Sequence, residues 1–189
     1  MREALAAHPR ELAVVYVADA VPRQALAEVL AAAQSAKVTV ETRPVEALDA
    51  LARGVRHQGV IAVAGGDYAY VDLPTLITRS RGQSSPALIV ALDEITDPHN
   101  LGAIVRSSVA LGAHGVVTLK DRAAPVNATV VRASAGATEH ASIARVTNLA
   151  RALETLRAEG HRVVGLDAEG QCALDEVDVT GPVTLVVGS

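Results

Sequence analysis

Short, valine-rich apolar runs alternate with helical patterns along almost all of the 189 residues, and this alternation limits the folds that the chain can adopt. Apolar runs of this length predict strands buried on both faces, which occur in parallel sheets covered by helices. The predicted fold class is therefore α/β. The predicted strands are residues 11–18, 37–41, 59–64, 87–92, 115–119, 142–146, 162–166 and 183–187.

Residues 65–85 differ in character from the sequence on either side. They begin with two glycines, contain a short helical pattern over residues 73–79 and end in Gly-Gln-Ser-Ser, so they predict a semi-rigid linker. We therefore predict two domains, a small α/β sandwich over residues 1–64 and a larger α/β domain over residues 86–189.

Helical patterns separate the strands in both domains. In the first domain the alternation favours parallel pairing, and in the second it predicts a doubly wound parallel sheet. The chain stops directly after an apolar strand, where a covering helix is expected, so we expect it to be a fragment of a longer protein. The predicted helices are residues 22–35, 45–54, 98–111, 126–134 and 148–159.

Composition argues against several classes of protein. Half of the residues are apolar, 20% are charged and the mean hydropathy is +0.28, which excludes disorder. The sequence contains no long apolar run that could span a membrane, and its N-terminus lacks a signal-peptide core, which predicts a cytoplasmic protein. Cys172 is the only cysteine, and the six histidines do not show metal-ligand spacing, so we expect neither a disulfide nor a metal site.

The charge pattern allows a nucleic-acid site only as a local patch. The formal net charge is −4, and a chain with no Phe, no Trp and three Tyr has few side chains on which bases could stack. Between residues 98 and 138, however, four basic side chains occur with one acidic side chain, Asp121. This zone follows two predicted strands, at the carboxyl edge where open α/β sheets bind ligands. The four basic residues are Arg106, Lys120, Arg122 and Arg132.

The most informative motif is DEITDPHNLGAIVRSS, residues 93–108, which joins a buried strand to a helix. Asp97 is placed to cap the helix and Pro98 suits its first turn, so an ordinary capped helix with a solvated loop explains these residue types about equally well. Asn100 and Arg106 are six residues apart, about 120° around one continuous helix. They can act on one site only if Asn100 lies in the entry loop or the first turn.

This motif resembles the first motif of the SpoU (TrmH) family of RNA ribose 2′-O-methyltransferases, whose SPOUT-class fold is an α/β sheet with a C-terminal trefoil knot. Residues 120–137 resemble the next segment of the family, and TLVVGS, residues 184–189, resembles the opening of its second motif. HQGVIA, residues 57–62, resembles the end of its L30e-like substrate-binding domain. The resemblance covers nearly the whole chain and is closest to bacterial enzymes that methylate a guanosine of 23S ribosomal RNA.

The resemblance implies S-adenosylmethionine as cofactor, ribosomal RNA rather than tRNA as partner, and a homodimer without metal or membrane contact. By the same resemblance Asn100 and Arg106 are catalytic, the backbone of Gly188 contacts the cofactor, and Leu166 and Asp167 form another wall of its pocket. The glutamate that follows in the second family motif would be residue 190, and the third motif lies further on. We therefore expect this chain to lack the knot and to be inactive by itself.

The roles of the basic residues are our interpretation. An arginine side chain stays charged, so Arg106 is better suited to binding a phosphate and stabilising negative charge than to removing a proton. Asn100 would orient the ribose or Arg106. Arg122 and Arg132 are candidate phosphate contacts, although a single arginine of this kind is more often a solvated surface charge.

Two alternative functions remain open at this stage. The first is a non-catalytic RNA-binding relative without the cofactor knot, and the second is a small-molecule-binding α/β module. The sequence has no G-x-G-x-x-G, P-loop or G-x-S-x-G motif, which disfavours dinucleotide, nucleoside triphosphate and α/β-hydrolase sites.

Overall fold

The computed structural model describes residues 2–7, 11–82, 85–170 and 172–188. The chain forms two compact units, Met1–Tyr68 and Ala69–Ser189. Leu76 and Ile77, which belong to the predicted linker, are buried in the core of the second unit. The segment from residue 69 to residue 82 is thus part of the second unit.

The first unit is a three-stranded sheet with helices. Its sheet has the order β2-β1-β3, in which β1 is parallel to β2 and antiparallel to β3. The prediction of parallel pairing is therefore wrong for β3, because alternation of strands and helices does not determine strand direction. The elements are α1 (Arg2–Ala7), β1 (Leu12–Ala18), α2 (Ala27–Ser35), β2 (Val40–Arg43), α3 (Val45–Ala52) and β3 (Val60–Ala64).

Two elements of the first unit begin several residues later than predicted, and α1 was not predicted. Helix α2 begins at Ala27 rather than at residue 22, because the amides of residues 25–27 each bond to a carbonyl three residues back, which makes tight turns. Strand β2 begins at Val40 rather than at residue 37, because Lys37 has a left-handed backbone (φ 58°) that ends α2.

The second unit contains a five-stranded sheet of order β6-β5-β4-β8-β7, in which every neighbouring pair is parallel. The predicted α/β class and the parallel sheet are confirmed. Helical turns also occur at Ala137–Glu139 and Leu174–Glu176. The main elements are α4 (Leu73–Arg81), β4 (Leu88–Asp93), α5 (Pro98–Ala110), β5 (Gly115–Leu119), α6 (Ala128–Ala133), β6 (Ile143–Val146), α7 (Leu149–Ala158), β7 (Arg162–Gly165) and β8 (Val183–Gly188).

Helices α4 and α7 cover the sheet through an apolar core. Leu76 of α4 and Leu156 of α7 are fully buried against Ile89, Val117 and Ala144 of the strands. Burying a leucine side chain of this size contributes about 2–3 kcal/mol, so these contacts fix both helices on the sheet.

Helices α5 and α6 pack together at a close crossing. A Cβ atom at Gly102 of α5 would lie 2.5 Å from Ala133 Cβ and 2.8 Å from the Val130 carbonyl oxygen, both in α6. Only glycine permits this approach, which fixes the position of α5 relative to α6.

Residue Val71 extends the sheet at its outer side. Its amide donates a hydrogen bond to the Ile143 carbonyl (3.0 Å), and it forms a parallel bridge with Ala144 of β6. The chain thus enters the second unit by adding one rung beside β6.

The described residues contain neither a helix suited to span a membrane nor a group of side chains suited to hold a metal ion. Within residues 2–7, 11–82, 85–170 and 172–188, no helix combines the length and hydropathy needed to cross a bilayer. The same ranges contain no group of three or more His, Cys, Asp or Glu side chains arranged to hold a metal ion.

Candidate functional site

The order of the strands in the second sheet reverses between β4 and β8. After β4 the chain adds β5 on one side, whereas β8 lies on the other side, so the order of the strands reverses at β4. Ligands of open α/β sheets bind outside such a reversal. Asp93 and Gly188 are register neighbours there, at the last positions of β4 and β8.

The three residues expected to hold the cofactor lie at this edge. The Leu166 amide donates to the Val186 carbonyl (2.9 Å), so Leu166 and Asp167 follow the carboxyl end of β7, beside the end of β8 that carries Gly188. The adjacency of β7 and β8 brings the three residues to neighbouring strand ends, although they are separated in the sequence by about twenty positions.

Leu166 and Asp167 are both exposed at this edge. Leu166 is 46% exposed, and one carboxylate oxygen of Asp167 accepts from the Glu169 amide (2.9 Å). An apolar side chain beside a carboxylate suits a ligand with both apolar and polar parts.

Helix α5 begins as the sequence predicts. Asp97 caps it, because its carboxylate accepts from the His99 amide (3.0 Å), and Pro98 occupies the first turn. Asn100 is the third residue of α5 and therefore lies in the first turn. This is where Asn100 must lie if it is to act on one site together with Arg106. Arg106 follows about 9 Å further along the helix and about 120° around it. Both side chains are exposed.

An ion pair connects the loops that follow β4 and β5. Arg122 Nη1 lies 2.5 Å from Glu94 Oε1, and the Ala124 amide donates to the Ile95 carbonyl (2.9 Å). Glu94 and Arg122 both have left-handed backbones, with φ of 53° and 58°. Arg122, a candidate phosphate contact, is thus engaged by a carboxylate while its side chain stays 72% exposed.

Arg145 and Tyr70 support the loop after β5 and were not singled out in the sequence. The Arg145 guanidinium lies 4.7 Å from the centre of the Tyr70 ring and donates to the Lys120 carbonyl (2.7 Å). The Tyr70 hydroxyl accepts from the Val126 amide (2.7 Å). No local pattern predicts this arrangement, because it joins residues that are distant in the sequence.

The last candidate, Arg132, is exposed in the last turn of α6. Asn127 caps α6 by accepting from the Thr129 and Val130 amides at 3.0 and 3.1 Å. The basic zone of the sequence thus spans α5, α6 and the loop between β5 and α6.

Two family models match the chain. Residues 87–189 match the SpoU rRNA Methylase family, and residues 1–67 match the family described as RNA 2′-O ribose methyltransferase substrate binding. The division between the two matches falls close to the division between the compact units at Tyr68.

Curated relatives carry names from the same family. An uncharacterized tRNA/rRNA methyltransferase of Mycobacterium sp. (strain KMS) is 49% identical over 143 residues, which cover 75% of this chain and 45% of that protein. The Bacillus subtilis (strain 168) protein YacO, named for the TrmH family of tRNA/rRNA methyltransferases, is 38% identical over 180 residues, 95% of this chain and 72% of its own. The chain thus spans less than half the length of the mycobacterial relative.

Solved structures share the fold. The SpoU methyltransferase AviRb from Streptomyces viridochromogenes, solved in complex with AdoMet, superposes with a TM-score of 0.74 at 24% identity, covering 99% of this chain and 69% of that one. The AdoMet-bound rRNA methyltransferase from Sinorhizobium meliloti gives a TM-score of 0.70 at 24% identity, with 93% and 62% covered. Identity at this level establishes a common fold.

Proposed function

Because the chain belongs to the SpoU rRNA methylase family, we propose that it methylates the ribose 2′-oxygen of an RNA nucleotide, with S-adenosylmethionine as methyl donor. The proposed target is a guanosine of 23S ribosomal RNA. The observation that supports this assignment best is the reversal of the strand order at the carboxyl ends of β4 and β8. Asp93 and Gly188 lie side by side there, and α5, which carries Asn100 and Arg106, begins five residues after β4.

Gly188, Leu166 and Asp167 would hold the cofactor. The backbone of Gly188 can contact a ligand at the end of β8, the exposed Leu166 offers an apolar contact, and the Asp167 carboxylate can accept hydrogen bonds. When bound, S-adenosylmethionine supplies an electrophilic methyl group on a positively charged sulfur.

Arg106 would bind the phosphate beside the target ribose and stabilise negative charge on the 2′-oxygen. An arginine side chain is a poor proton acceptor, so Arg106 would act through its charge rather than as the base. In this role it resembles other preorganised cations that act where charge develops during a reaction. Asn100 offers an amide that can both donate to and accept from a ribose hydroxyl, and its place in the first turn of α5 leaves it exposed to a ligand.

Substitution of Arg106 tests this proposal. Methyl transfer from radiolabelled S-adenosylmethionine to a 23S ribosomal RNA transcript is measured with the longest chain that the gene encodes. We expect Arg106→Lys to lower kcat by about 100-fold, as the loss of one charge-stabilising donor does, with a much smaller change in RNA affinity. Arg157→Lys, in the last turn of α7, is the matched control. Near-normal turnover of Arg106→Lys would refute the role of the guanidinium.

Calorimetric titration of S-adenosylmethionine tests the cofactor assignment separately. It is carried out on this chain of 189 residues and on the longest encoded chain. Binding by either chain supports the assignment. RNA binding with neither cofactor binding nor methyl transfer would instead favour the non-catalytic RNA-binding alternative. The homodimer and the preference for ribosomal RNA over tRNA stay predictions, which sedimentation equilibrium and competition between the two RNAs can test.

A further inference from the structure

We propose that Tyr70 and Arg145 are positioning residues for RNA binding at the candidate site, because they hold the loop that carries Arg122. This loop joins β5 to α6, and we name its residues 120–127 the β5–α6 loop. The inference rests on the proposed function, in which Arg122 is a candidate phosphate contact. It identifies two residues that act on the RNA through Arg122 rather than by touching it.

The β5–α6 loop is fixed at its start by Arg145. The Lys120 amide donates to the Val146 carbonyl (2.8 Å), and the Lys120 carbonyl accepts from the Arg145 guanidinium (2.7 Å). Arg145 belongs to β6, the strand beside β5, and its guanidinium also lies 4.7 Å from the centre of the Tyr70 ring. The face of an aromatic ring attracts a guanidinium at this distance. Tyr70 therefore restrains the group that holds Lys120.

Two further bonds hold the second half of the loop. The Ala124 amide donates to the Ile95 carbonyl (2.9 Å), and Ala124 is buried. The Val126 amide donates to the Tyr70 hydroxyl (2.7 Å). The Tyr70 side chain thus acts near both ends of the loop, with its ring near the start and its hydroxyl near the end.

Arg122 lies between these anchors in a strained backbone conformation. Its φ of 58° is in the left-handed region, which is unfavourable for residues other than glycine. Such a conformation persists where the surrounding structure enforces it, and here the bonds at Lys120 and Ala124 restrain the backbone on either side. An ordinary surface arginine does not need this backbone.

The restrained backbone carries a guanidinium that is still accessible to a ligand. The Arg122 side chain is 72% exposed, and its Nη1 contacts Glu94 Oε1. A guanidinium has five N–H donors, so it can bind a phosphate in addition to one carboxylate oxygen. An arginine that is already held in place loses less conformational freedom on binding, which strengthens the contact. The anchors at Tyr70 and Arg145 would supply this benefit.

A double-mutant cycle on RNA binding tests the proposal. Binding of a 23S ribosomal RNA transcript is measured with the longest chain that the gene encodes, as the unchanged protein, Arg145→Lys, Arg122→Gln and the double variant. We expect Arg145→Lys to weaken binding about threefold or more by itself and to have little further effect once Arg122 is replaced. Lysine keeps the charge, so this loss reports geometry. Tyr70→Phe keeps the ring, removes the hydroxyl and should behave in the same way.

The matched control uses the same kind of contact in the first unit. The Arg43 guanidinium lies 5.4 Å from the centre of the Tyr16 ring. Arg43→Lys should therefore act additively with Arg122→Gln, whatever its own effect on binding, because it is not part of the β5–α6 loop. Thermal unfolding of each variant shows that it is folded.

Amide hydrogen exchange measures the loop without RNA. Arg145→Lys and Tyr70→Phe should speed exchange of the Ala124 amide and leave exchange of the Val116 amide, within β5, unchanged. The proposal is overturned if Arg145→Lys and Arg122→Gln act additively, if Arg122→Gln binds RNA normally, or if exchange at Ala124 does not change. None of these results affects the proposed methyl transfer, which fails separately if the unchanged chain binds RNA but transfers no methyl group.

Discussion

Glu94 and Arg122 form an ion pair between two loops of the sheet, with 2.5 Å between Oε1 and Nη1. Each residue has a left-handed backbone conformation and lies at the carboxyl edge of the sheet, where the candidate site is. The pair is exposed, so it stabilises the fold by less than about 1 kcal/mol. Its main effect is to fix where the Arg122 guanidinium lies.

We expect substitutions of Arg122 and of Glu94 to affect RNA binding differently. Arg122→Gln should weaken binding of a 23S ribosomal RNA transcript several-fold and lower its salt dependence, because one cation is lost. Glu94→Gln should leave binding unchanged or strengthen it, because it removes a competing carboxylate. Filter binding at two salt concentrations measures both. Equal affinities for the two variants would show that Arg122 does not contact RNA.

Gly102→Ala should destabilise the second unit by about 1–3 kcal/mol, because the added methyl group meets the Val130 carbonyl and the Ala133 side chain. It should also lower methyl transfer, since α5 carries Asn100 and Arg106. Urea unfolding measures the stability. Gly165→Ala is the control, because no described heavy atom lies within 4 Å of its added Cβ. A tolerated Gly102→Ala would mean that α5 and α6 can separate.

Two threonines of the sheet should respond differently to replacement by valine. Thr118 is 1% exposed and its hydroxyl has no hydrogen-bond partner among the described residues, so Thr118→Val should keep stability or raise it by up to about 1 kcal/mol. The Thr184 hydroxyl lies 3.1 Å from His161 Nδ1, so Thr184→Val should cost about 1–3 kcal/mol. Urea midpoints compare the two variants, and the reverse order of stabilities would contradict this account.

His161 should make stability depend on pH. Burial lowers the pKa of this imidazole, and the nearby Arg81 charge lowers it further. The unfolded chain therefore binds a proton as the pH falls below about 6.5, while the folded chain resists it, so stability decreases in that range. Urea unfolding at about pH 7.5 and pH 5.5 should show a larger loss for the unchanged chain than for His161→Gln. If the unchanged chain and His161→Gln lose the same stability between the two pH values, His161 is not the cause of the pH dependence.

Gly188→Ala should leave stability unchanged but weaken cofactor binding. Gly188 is exposed at the end of β8, so this chain should tolerate an added methyl group, whereas a ligand lying against this backbone would not. Calorimetric titration of S-adenosylmethionine into a chain that binds it, together with a thermal melt, separates the two effects. Unchanged affinity would remove Gly188 from the cofactor site.

Periodicity was sufficient to predict the strands of the second unit and the start of α5. The run of residues 87–92 and the cap at Asp97 depend on local spacing, and the structure places β4 and α5 accordingly. The SpoU family assignment is confirmed, because it depends on motifs that are continuous in the sequence. The roles of Asn100 and Arg106 stay predictions.

Features that depend on distant contacts could not be predicted. The antiparallel direction of β3 depends on how it pairs with β1, and local alternation carries no information about this. Tyr70 and Arg145 meet only because Val71 aligns with Ala144, and the pairing of Glu94 with Arg122 requires two loops to meet. Of the predicted semi-rigid linker over residues 65–85, residues 69–82 lie in the second unit, whose core buries Leu76.

The rung that Val71 adds beside β6 has a consequence for self-association. A bare outer strand offers unpaired amides and carbonyls that can template the addition of another chain. Here the Ile143 carbonyl is already occupied by the Val71 amide. At this position the polypeptide itself occupies the edge that a further strand would need for pairing.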